Sequence, residues 1–232
     1  MKVKLLRYTT DAELLCGAAA SSTTRSGSPS EILEKMDSET SKRIIKRVTG
    51  YGHDSVIEHA SFTFSIEDVS RAMTHQLVRH RIASYTQQSQ RYVTYDTVEK
   101  YVTPSSIEEN AEAKKTFEET LEKISEAYQN LIEHGVPKED ARFILPNAAK
   151  TNIIVTMNAR ELQHFFSLRC CTRAQWEIRE VATEMLKQAK KAAPTLFENS
   201  GPSCVKLGYC PEGRMKTPEC KVEEVKKRFK AM

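Results

Sequence analysis

The sequence predicts an α+β, or irregular α/β, protein with a mixed β-sheet and flanking helices. Short segments with alternating apolar residues predict strands, and longer segments with apolar residues three and four apart predict helices. No regular strand-helix-strand repeat links them, which argues against a doubly wound fold. With 232 residues, 39% of them hydrophobic, the chain can bury a sizeable core.

The first elements follow from local spacing. "MKVKLLRY" alternates Val3 and Leu5 with lysines, which predicts an edge or half-exposed strand. Asp11 then begins a helix rich in Ala and Leu, and a Ser/Thr-rich loop precedes a helix that contains Ile32 and Leu33. This part of the chain is therefore predicted as one strand followed by helices.

A further helix, which ends at Gly50, precedes a second strand. In "SFTFSIE" every second residue is apolar, so Phe62, Phe64 and Ile66 share one face of that strand. We expect this face to lie in the core.

A helix is expected directly after this strand. Asp68 is suited to cap it, and the helix is expected to run to about His80. At about 100° per residue, Gln76, Arg79 and His80 would then lie on one side of it. The polar segment "RHRIASYTQQSQRY", residues 79–92, would begin at the end of this helix.

Residues 107–134 show the strongest helical periodicity in the sequence. Ser106 and Glu109 form a potential capping box, and Gly135 is expected to end the helix. The apolar residues recur at intervals of four and three, which predicts one buried face. Its members are Phe117, Leu121, Ile124, Tyr128 and Leu131.

Beyond Gly135, helices alternate with a strand. Pro137 begins a short helix that carries Arg142, and "TNIIVT" predicts a strand rich in β-branched residues. Asn158 and Glu161 have the spacing of a helix start, and "AQWEIREVATEMLKQAKKAA" predicts a final amphipathic helix.

Composition narrows the class of protein. The net charge is only +4 and is spread along the chain, which argues against a general nucleic-acid binder. No apolar segment near the start is long enough to span a membrane, and no leader pattern is present, so we expect a cytoplasmic protein. The six cysteines are therefore expected to be reduced.

Residues 79–92 combine three arginines with many neutral donors and acceptors. A guanidinium can grip a phosphate or carboxylate through two parallel bonds, and it stays charged when partly desolvated. A solvated surface with ion pairs is the simpler explanation of charge alone, but no acidic residue lies between Asp68 and position 96. The segment therefore predicts a site for an anionic ligand.

Five ordered segments resemble the flavin-dependent thymidylate synthases. "RHRIASYTQQS" fits Arg-His-Arg, seven residues, Ser, a pattern typical of that family. Four further segments are similar in order and spacing, together with Gln76 three residues before Arg79. These segments are "YGHDSVIEHASFTF", "ARFILP", "NAREL" and "LRCCTRAQWEI". The resemblance extends over about residues 1–197, which implies a family domain there and a cysteine-containing extension of unknown role over residues 198–232.

The resemblance implies a homotetramer with active sites at subunit junctions that converts dUMP to dTMP. It implies FAD and NADPH as cofactors and 5,10-methylenetetrahydrofolate as the carbon donor. The family more often has Glu where this sequence has Gln87, which leaves the role of Gln87 between flavin and nucleotide open. The implied cofactor-binding residues are His53, Ser55, Arg79, His80, Arg81, Gln87, Asn158, Ala159, Arg160 and His164.

The resemblance also implies a substrate site, with Arg169 as the catalytic residue beside the uracil ring. A fixed guanidinium there would stabilise negative charge as it develops on the pyrimidine. The implied dUMP-binding residues are Gln76, Arg79, Gln87, Gln88, Ser89, Gln90, Arg91, Arg142 and Arg169.

A cysteine nucleophile, a serine nucleophile and a metal site fit the sequence less well. Cys170 and Cys171 adjoin Arg169, but a buried, inert thiol is the commoner role of a helical Cys. Ser89 lacks an adjacent base and suits a phosphate or ribose contact better than a nucleophile. The histidine spacings do not fit a zinc helix, so no metal is predicted, although the spacing of Cys204, Cys210 and Cys220 leaves a structural metal open.

The alternative function is an RNA or single-strand nucleic-acid binding module. It would use the three arginines for phosphates and would stack bases on Tyr85 and Tyr92. The balanced charge argues against it, and we expect no nucleic-acid or membrane partner.

Overall fold

The computed structural model describes residues 1–95, 97–218 and 220–232. The chain divides into two compact units, and each is described by itself below. Unit 1 consists of Met1–Lys2, Ile66–Arg79 and Thr86–Ile153, and unit 2 consists of Val3–Ser65, His80–Tyr85 and Ile154–Met232.

The strands are β1 (Lys2–Tyr8), β2 (Ser61–Ser70), β3 (Ala83–Gln87) and β4 (Lys150–Asn158). They form one sheet in the order β1-β2-β4-β3, so β1 is an edge strand as predicted. The sheet is antiparallel. The hydroxyls of Thr63 and Thr156 lie 2.9 Å apart, and the Asp68 N–H donates to the Asn152 side chain at 2.9 Å, so residue numbers fall along β4 as they rise along β2. The α+β class is confirmed, but the expectation of a mixed sheet is wrong.

The helices of the described residues flank this sheet. Short 3₁₀ turns lie at Asp54–His59, Val98–Lys100, Arg142–Ile144 and Gly213–Met215. The α-helices are α1 (Ala12–Ser22), α2 (Pro29–Glu34), α3 (Ser38–Gly50), α4 (Arg71–Leu77), α5 (Ser105–Glu108), α6 (Ala111–Glu133), α7 (Lys138–Ala141), α8 (Ala159–Arg169), α9 (Trp176–Ala192), α10 (Pro194–Phe197), α11 (Ser203–Leu207) and α12 (Val222–Lys230).

The helix after β2 starts later and ends earlier than predicted. Asp68 lies within β2 in a left-handed conformation, with φ 57°, and does not cap α4. The hydroxyl of Ser70 accepts from the Met73 N–H and caps α4 instead. Because α4 ends at Leu77, the expectation that Arg79 and His80 continue its face is wrong.

The long helix of unit 1 also has a different start. The side chain of Asn110 accepts from the Ala113 N–H and caps α6, which separates it from α5. The predicted capping box of Ser106 and Glu109 is therefore wrong, because both residues precede this cap. Gly135 follows the helix with φ 81°, as predicted for a residue that ends a helix.

Each unit has its own apolar core. In unit 1, Tyr95, Tyr101, Leu121 and Tyr128 form one buried cluster, which confirms the predicted inner face of α6. In unit 2, the aromatic rings of β2, α8 and α10 pack edge to face, with ring centroids 5.2 to 6.0 Å apart. Phe62, Phe64 and Ile66 are fully buried, as predicted. None of the helices in the described ranges is long and apolar enough to cross a membrane.

The extension over residues 198–232 packs within unit 2. Phe229 of α12 is fully buried, and a Cβ on Gly201 would lie 3.0 Å from its ring. The ammonium of Lys190 on α9 donates to the Phe229 carbonyl. The last helix is therefore held by side chains of the main domain.

The crossing of α1 and α3 gives a stability test. A Cβ on Gly17 would come within 2.9 Å of the Ser41 backbone, so Gly17→Ala should destabilise the protein by about 1 to 3 kcal/mol despite the better helix propensity of Ala. Gly50 ends α3 with open space around it, so Gly50→Ala should change stability by less than about 1 kcal/mol. Urea unfolding of both variants checks this, and equal midpoints would contradict it.

Candidate active site

One set of predicted site residues lies in unit 1. After β3, the Ser89 hydroxyl accepts from the Arg91 N–H at 3.2 Å, which shapes the turn. The Arg91 guanidinium pairs with the Glu139 carboxylate at 2.7 Å, and Arg142 Nε donates to the Glu139 carbonyl at 3.0 Å. Both Arg91 and Arg142 therefore contact Glu139. The set comprises Gln76, Arg79, Gln87, Gln88, Ser89, Gln90, Arg91 and Arg142.

Two glutamines of this set, Gln87 and Gln88, form hydrogen bonds within unit 1. The Gln87 amide donates to the hydroxyls of Thr74 at 3.0 Å and Thr151 at 3.4 Å. A glutamate at this position would accept from those hydroxyls, so the amide reverses the direction of the bonds. Gln88 pairs with Asn152 through both its backbone and its side chain.

Arg71 belongs beside this set and was missed in the sequence. Its guanidinium donates to the Gln88 carbonyl at 2.8 Å. Burial lowers the pKa of Arg71, with a smaller lowering from the positive charge of Arg142, while a hydrogen bond with Tyr95 opposes both. Its place directly after Ser70, within a predicted helix, gave no sign of a partly buried cation.

A second set lies in unit 2, around the first turn of α8 and the 3₁₀ turn Asp54–His59. The side chain of Asn158 accepts from the Glu161 N–H at 2.9 Å, which confirms the predicted helix start, and the Ala159 N–H donates to the Ala60 carbonyl at 2.8 Å. Arg160 pairs with Glu58 at 2.5 Å. The set comprises His53, Ser55, His80, Arg81, Asn158, Ala159, Arg160, His164 and Arg169.

Some residues of this set are already bonded within the fold, and others are exposed. Ala159 is fully buried and its N–H is bonded, and the Asn158 side chain is used as a helix cap. By contrast His53, Ser55, Arg81 and His164 are exposed and can contact a ligand directly.

His80 is buried between two charged side chains of α8. Its Nε2 accepts from Arg169 Nε at 3.1 Å, and its Nδ1 lies 3.3 Å from the Glu161 carboxylate. Its ring packs edge-on against Phe165 with centroids 4.9 Å apart. His80 was predicted to contact flavin, but only 4% of its surface is exposed. Its nearest partners are thus Arg169 and Glu161.

Burial sets the protonation of this group. Burial, together with the positive charge of Arg169 and the nearby His164, lowers the pKa of His80 to about 4, so the imidazole is neutral at pH 7. Burial raises the pKa of Glu161, with His164 opposing the shift, and burial lowers the pKa of Arg169.

Cys170 is placed as a buried thiol rather than as a nucleophile. Cys170 is fully buried, and burial raises its pKa to about 12, so the thiol is protonated at neutral pH. Cys171 and Cys210 line a pocket of about 260 Å³ in unit 2 with Cys204 and Cys220. Within the described ranges, no group of three His, Cys, Asp or Glu residues is placed to hold a metal ion.

The tyrosines do not form the stacking surface that a nucleic-acid module needs. The Tyr85 hydroxyl donates to the His80 carbonyl at 2.8 Å, and its ring is half-buried. Of Tyr85 and Tyr92, the two tyrosines predicted to stack, only Tyr92, 76% exposed, could stack on a base. This geometry does not favour the alternative function.

Comparison with known proteins gives one consistent result. A family model described as "Thymidylate synthase complementing protein" matches residues 4–195. A flavin-dependent thymidylate synthase of Geobacter sulfurreducens is 51% identical, over 100% of this chain and 99% of the relative. One from Pyrococcus furiosus is 50% identical, over 82% of this chain and 81% of the relative.

Two solved structures are similar as well. A flavin-dependent thymidylate synthase of Helicobacter pylori, complexed with FAD and dUMP, matches with a TM-score of 0.70 and 25% identity, over 87% of this chain and 100% of that chain. A UMP/dUMP methylase of Streptomyces cacaoi, bound with 5-Br dUMP, matches with a TM-score of 0.75 and 24% identity, over 85% and 93% of the two chains. The second likeness supports the fold alone.

Thiol labelling can test the inert character of Cys170. Because the thiolate is the reactive form, iodoacetamide at pH 7.5 should modify the half-exposed Cys171 and Cys210 well before Cys170 or the buried Cys16, whose pKa burial also raises to about 12. Mass spectrometry of timed samples measures the order. Labelling in urea is the control, and equal rates in the folded protein would contradict the assignment.

Proposed function

The chain belongs to the flavin-dependent thymidylate synthases, and from that membership we propose its cosubstrates and the roles of its residues. It is a methyltransferase that forms thymidylate from dUMP with a flavin. We propose that 5,10-methylenetetrahydrofolate supplies the carbon and that NADPH supplies the reducing equivalents through FAD. The cosubstrates are proposed from family membership. The observation that carries the proposed residue roles is the Arg169 guanidinium, held by the buried His80.

Arg169 is proposed to lie on the uracil ring of dUMP. Carbon 5 of uracil is a weak nucleophile and becomes stronger as negative charge builds up on the ring. A guanidinium that is already oriented stabilises this charge without reorganising in the transition state. Because Arg169 is partly buried, its charge is less screened there than it would be in water.

The unit 1 set is proposed to hold the phosphate and ribose of dUMP. Arg91 and Arg142 supply guanidinium forks that match a phosphate, and Ser89 adds a hydroxyl beside them. The Arg91–Glu139 ion pair is about half-exposed, so it is weak enough for a phosphate to replace it. Gln76, Arg79, Gln87, Gln88 and Gln90 complete the proposed nucleotide site.

The unit 2 set is proposed to hold FAD, and the family resemblance also proposes Arg79 and Gln87 as FAD contacts. The donors present fit such a group, because exposed His53, Ser55, Arg81 and His164 offer hydrogen bonds and positive charge to a pyrophosphate. Bound flavin supplies the redox chemistry of the reaction. The protein residues then bind, orient and shield the reactants.

We propose a cytoplasmic homotetramer with active sites at subunit junctions. Family membership carries this proposal, and two strongly exposed apolar side chains beside site residues are compatible with it. In unit 1, Phe143 is 83% exposed, and in unit 2, Ile82 is 69% exposed. Both adjoin site residues in sequence, which fits sites that lie near contacts between chains.

Release of tritium from dUMP labelled at carbon 5 tests the proposed reaction. Substitution at that carbon displaces its hydrogen, so label should appear in water with formation of dTMP. We expect release and product to require both 5,10-methylenetetrahydrofolate and NADPH in a FAD-loaded preparation. Full turnover without either one would refute the proposed cosubstrate.

Arg169→Ala tests the catalytic assignment. Loss of a charge-assisted contact of about 1.5 to 3 kcal/mol should lower dTMP formation roughly 10- to 150-fold, while FAD stays bound. The Cys170→Ala/Cys171→Ala double variant is the matched control and should keep most of its activity. Near-normal turnover of Arg169→Ala would remove Arg169 from the mechanism.

A further inference from the structure

We infer that Glu161 positions Arg169 for the reaction through the imidazole of His80. Glu161 has no assigned contact with dUMP, FAD or folate, so its role would be that of a positioning residue. The inference deepens the proposed function, because it rests on Arg169 acting at the uracil ring.

The spacing of α8 explains why an intermediary is needed. Glu161, Phe165 and Arg169 follow one another at intervals of four, so they lie along one face of the helix. Glu161 and Arg169 are eight residues apart, which is about 12 Å along the helix axis and too far for direct pairing. The His80 ring packs edge-on against Phe165 between them and contacts both Glu161 and Arg169.

The contacts of the His80 ring with Arg169 and Glu161 define one tautomer. Arg169 Nε is always a donor, so His80 Nε2 must be the unprotonated acceptor. The proton of a neutral ring is then on Nδ1, which faces the Glu161 carboxylate at 3.3 Å. A carboxylate can only accept, so it selects this tautomer and excludes the one that would turn an N–H towards Arg169.

The surroundings of His80 hold the ring in this state. Glu161, His164 and Arg169 face it from α8, and Tyr85 from β3 donates to its backbone carbonyl at 2.8 Å. A second proton on the ring would remove the acceptor at Nε2 and place a cation against Arg169. Only 4% of His80 and 7% of Glu161 are exposed, so water cannot replace either partner easily.

The carboxylate differs from an amide in one decisive respect. Gln at position 161 would keep the size of the side chain, but its amide can either donate to or accept from Nδ1. The Nε2–H tautomer, in which Nε2–H would face Arg169 Nε–H, would then no longer be excluded at Nδ1, and only the bond from Arg169 would oppose it. Arg169 would lose its fixed orientation while keeping its charge.

Glu161→Gln is therefore the first test, assayed by tritium release in a FAD-loaded preparation. We expect kcat to fall at least 10-fold, because the guanidinium is no longer oriented for the transition state, with a smaller change in KM for dUMP. Glu177→Gln is the matched control, since Glu177 is also a buried carboxylate of unit 2 but lies on α9. The control should keep its kcat.

A double-mutant cycle separates positioning from general damage. In an Arg169→Ala background, Glu161→Gln should cause little further loss of dUMP affinity or turnover, because the group it positions is absent. Equal effects in both backgrounds would overturn the inference. If Arg169→Ala itself retains turnover, the proposed role of Arg169 fails first, whatever Glu161 does.

The tautomer can be observed without any substitution of Glu161. Ring ¹⁵N NMR of histidine-labelled protein, with His80 assigned through His80→Gln, should show a neutral ring at pH 6 to 8 that carries its proton on Nδ1. A cationic ring, or a proton on Nε2, would overturn the inference even if Glu161→Gln fails to fold. Loss of the single tautomer in folded Glu161→Gln would support it.

Discussion

The hydrogen bond from Arg169 to His80 fixes where the guanidinium of unit 2 lies, and it depends on the register of α8. The start of this helix is set by the Asn158 cap and by the bond from Ala159 to Ala60. A shift of one residue would rotate every later side chain by about 100°. Glu161, Phe165 and Arg169 would then leave the His80 ring together. A few local bonds at the first turn therefore fix the position of Arg169 at the last one.

Arg91 in unit 1 and Arg169 in unit 2 lie in different surroundings. In unit 1, Arg91 forms a half-exposed pair of the kind that contributes little to stability, so it is available for exchange with a phosphate. In unit 2, Arg169 is partly buried and bonded to a neutral base, which does not compete for its charge. The first arrangement suits reversible capture of an anion. The second suits a charge that must be in place before the reaction begins.

Much of the fold could be predicted from periodicity, but the site geometry could not. β2, β4, α6 and α9 carry regular apolar patterns and were recognised. β3 was not predicted, because its polar residues Ser84 and Thr86 give no apolar alternation. The start of α4 was misplaced, because Ser70, two residues after Asp68, caps the helix. Glu161 was noticed only as a helix-start signal. Its contact with His80 joins residues 81 positions apart, and no local pattern encodes such a contact.

The way the extension closes over unit 2 has a consequence for the thiol chemistry. Cys170 lines the pocket that Val225 and Cys220 of the extension help to enclose, while Phe229 is seated over Gly201. A protease that removed residues 198–232 would expose this sulfur to water and return its acidity towards that of an ordinary thiol. An inert atom one residue from Arg169 would then become open to oxidation. The extension therefore contributes to the burial of Cys170.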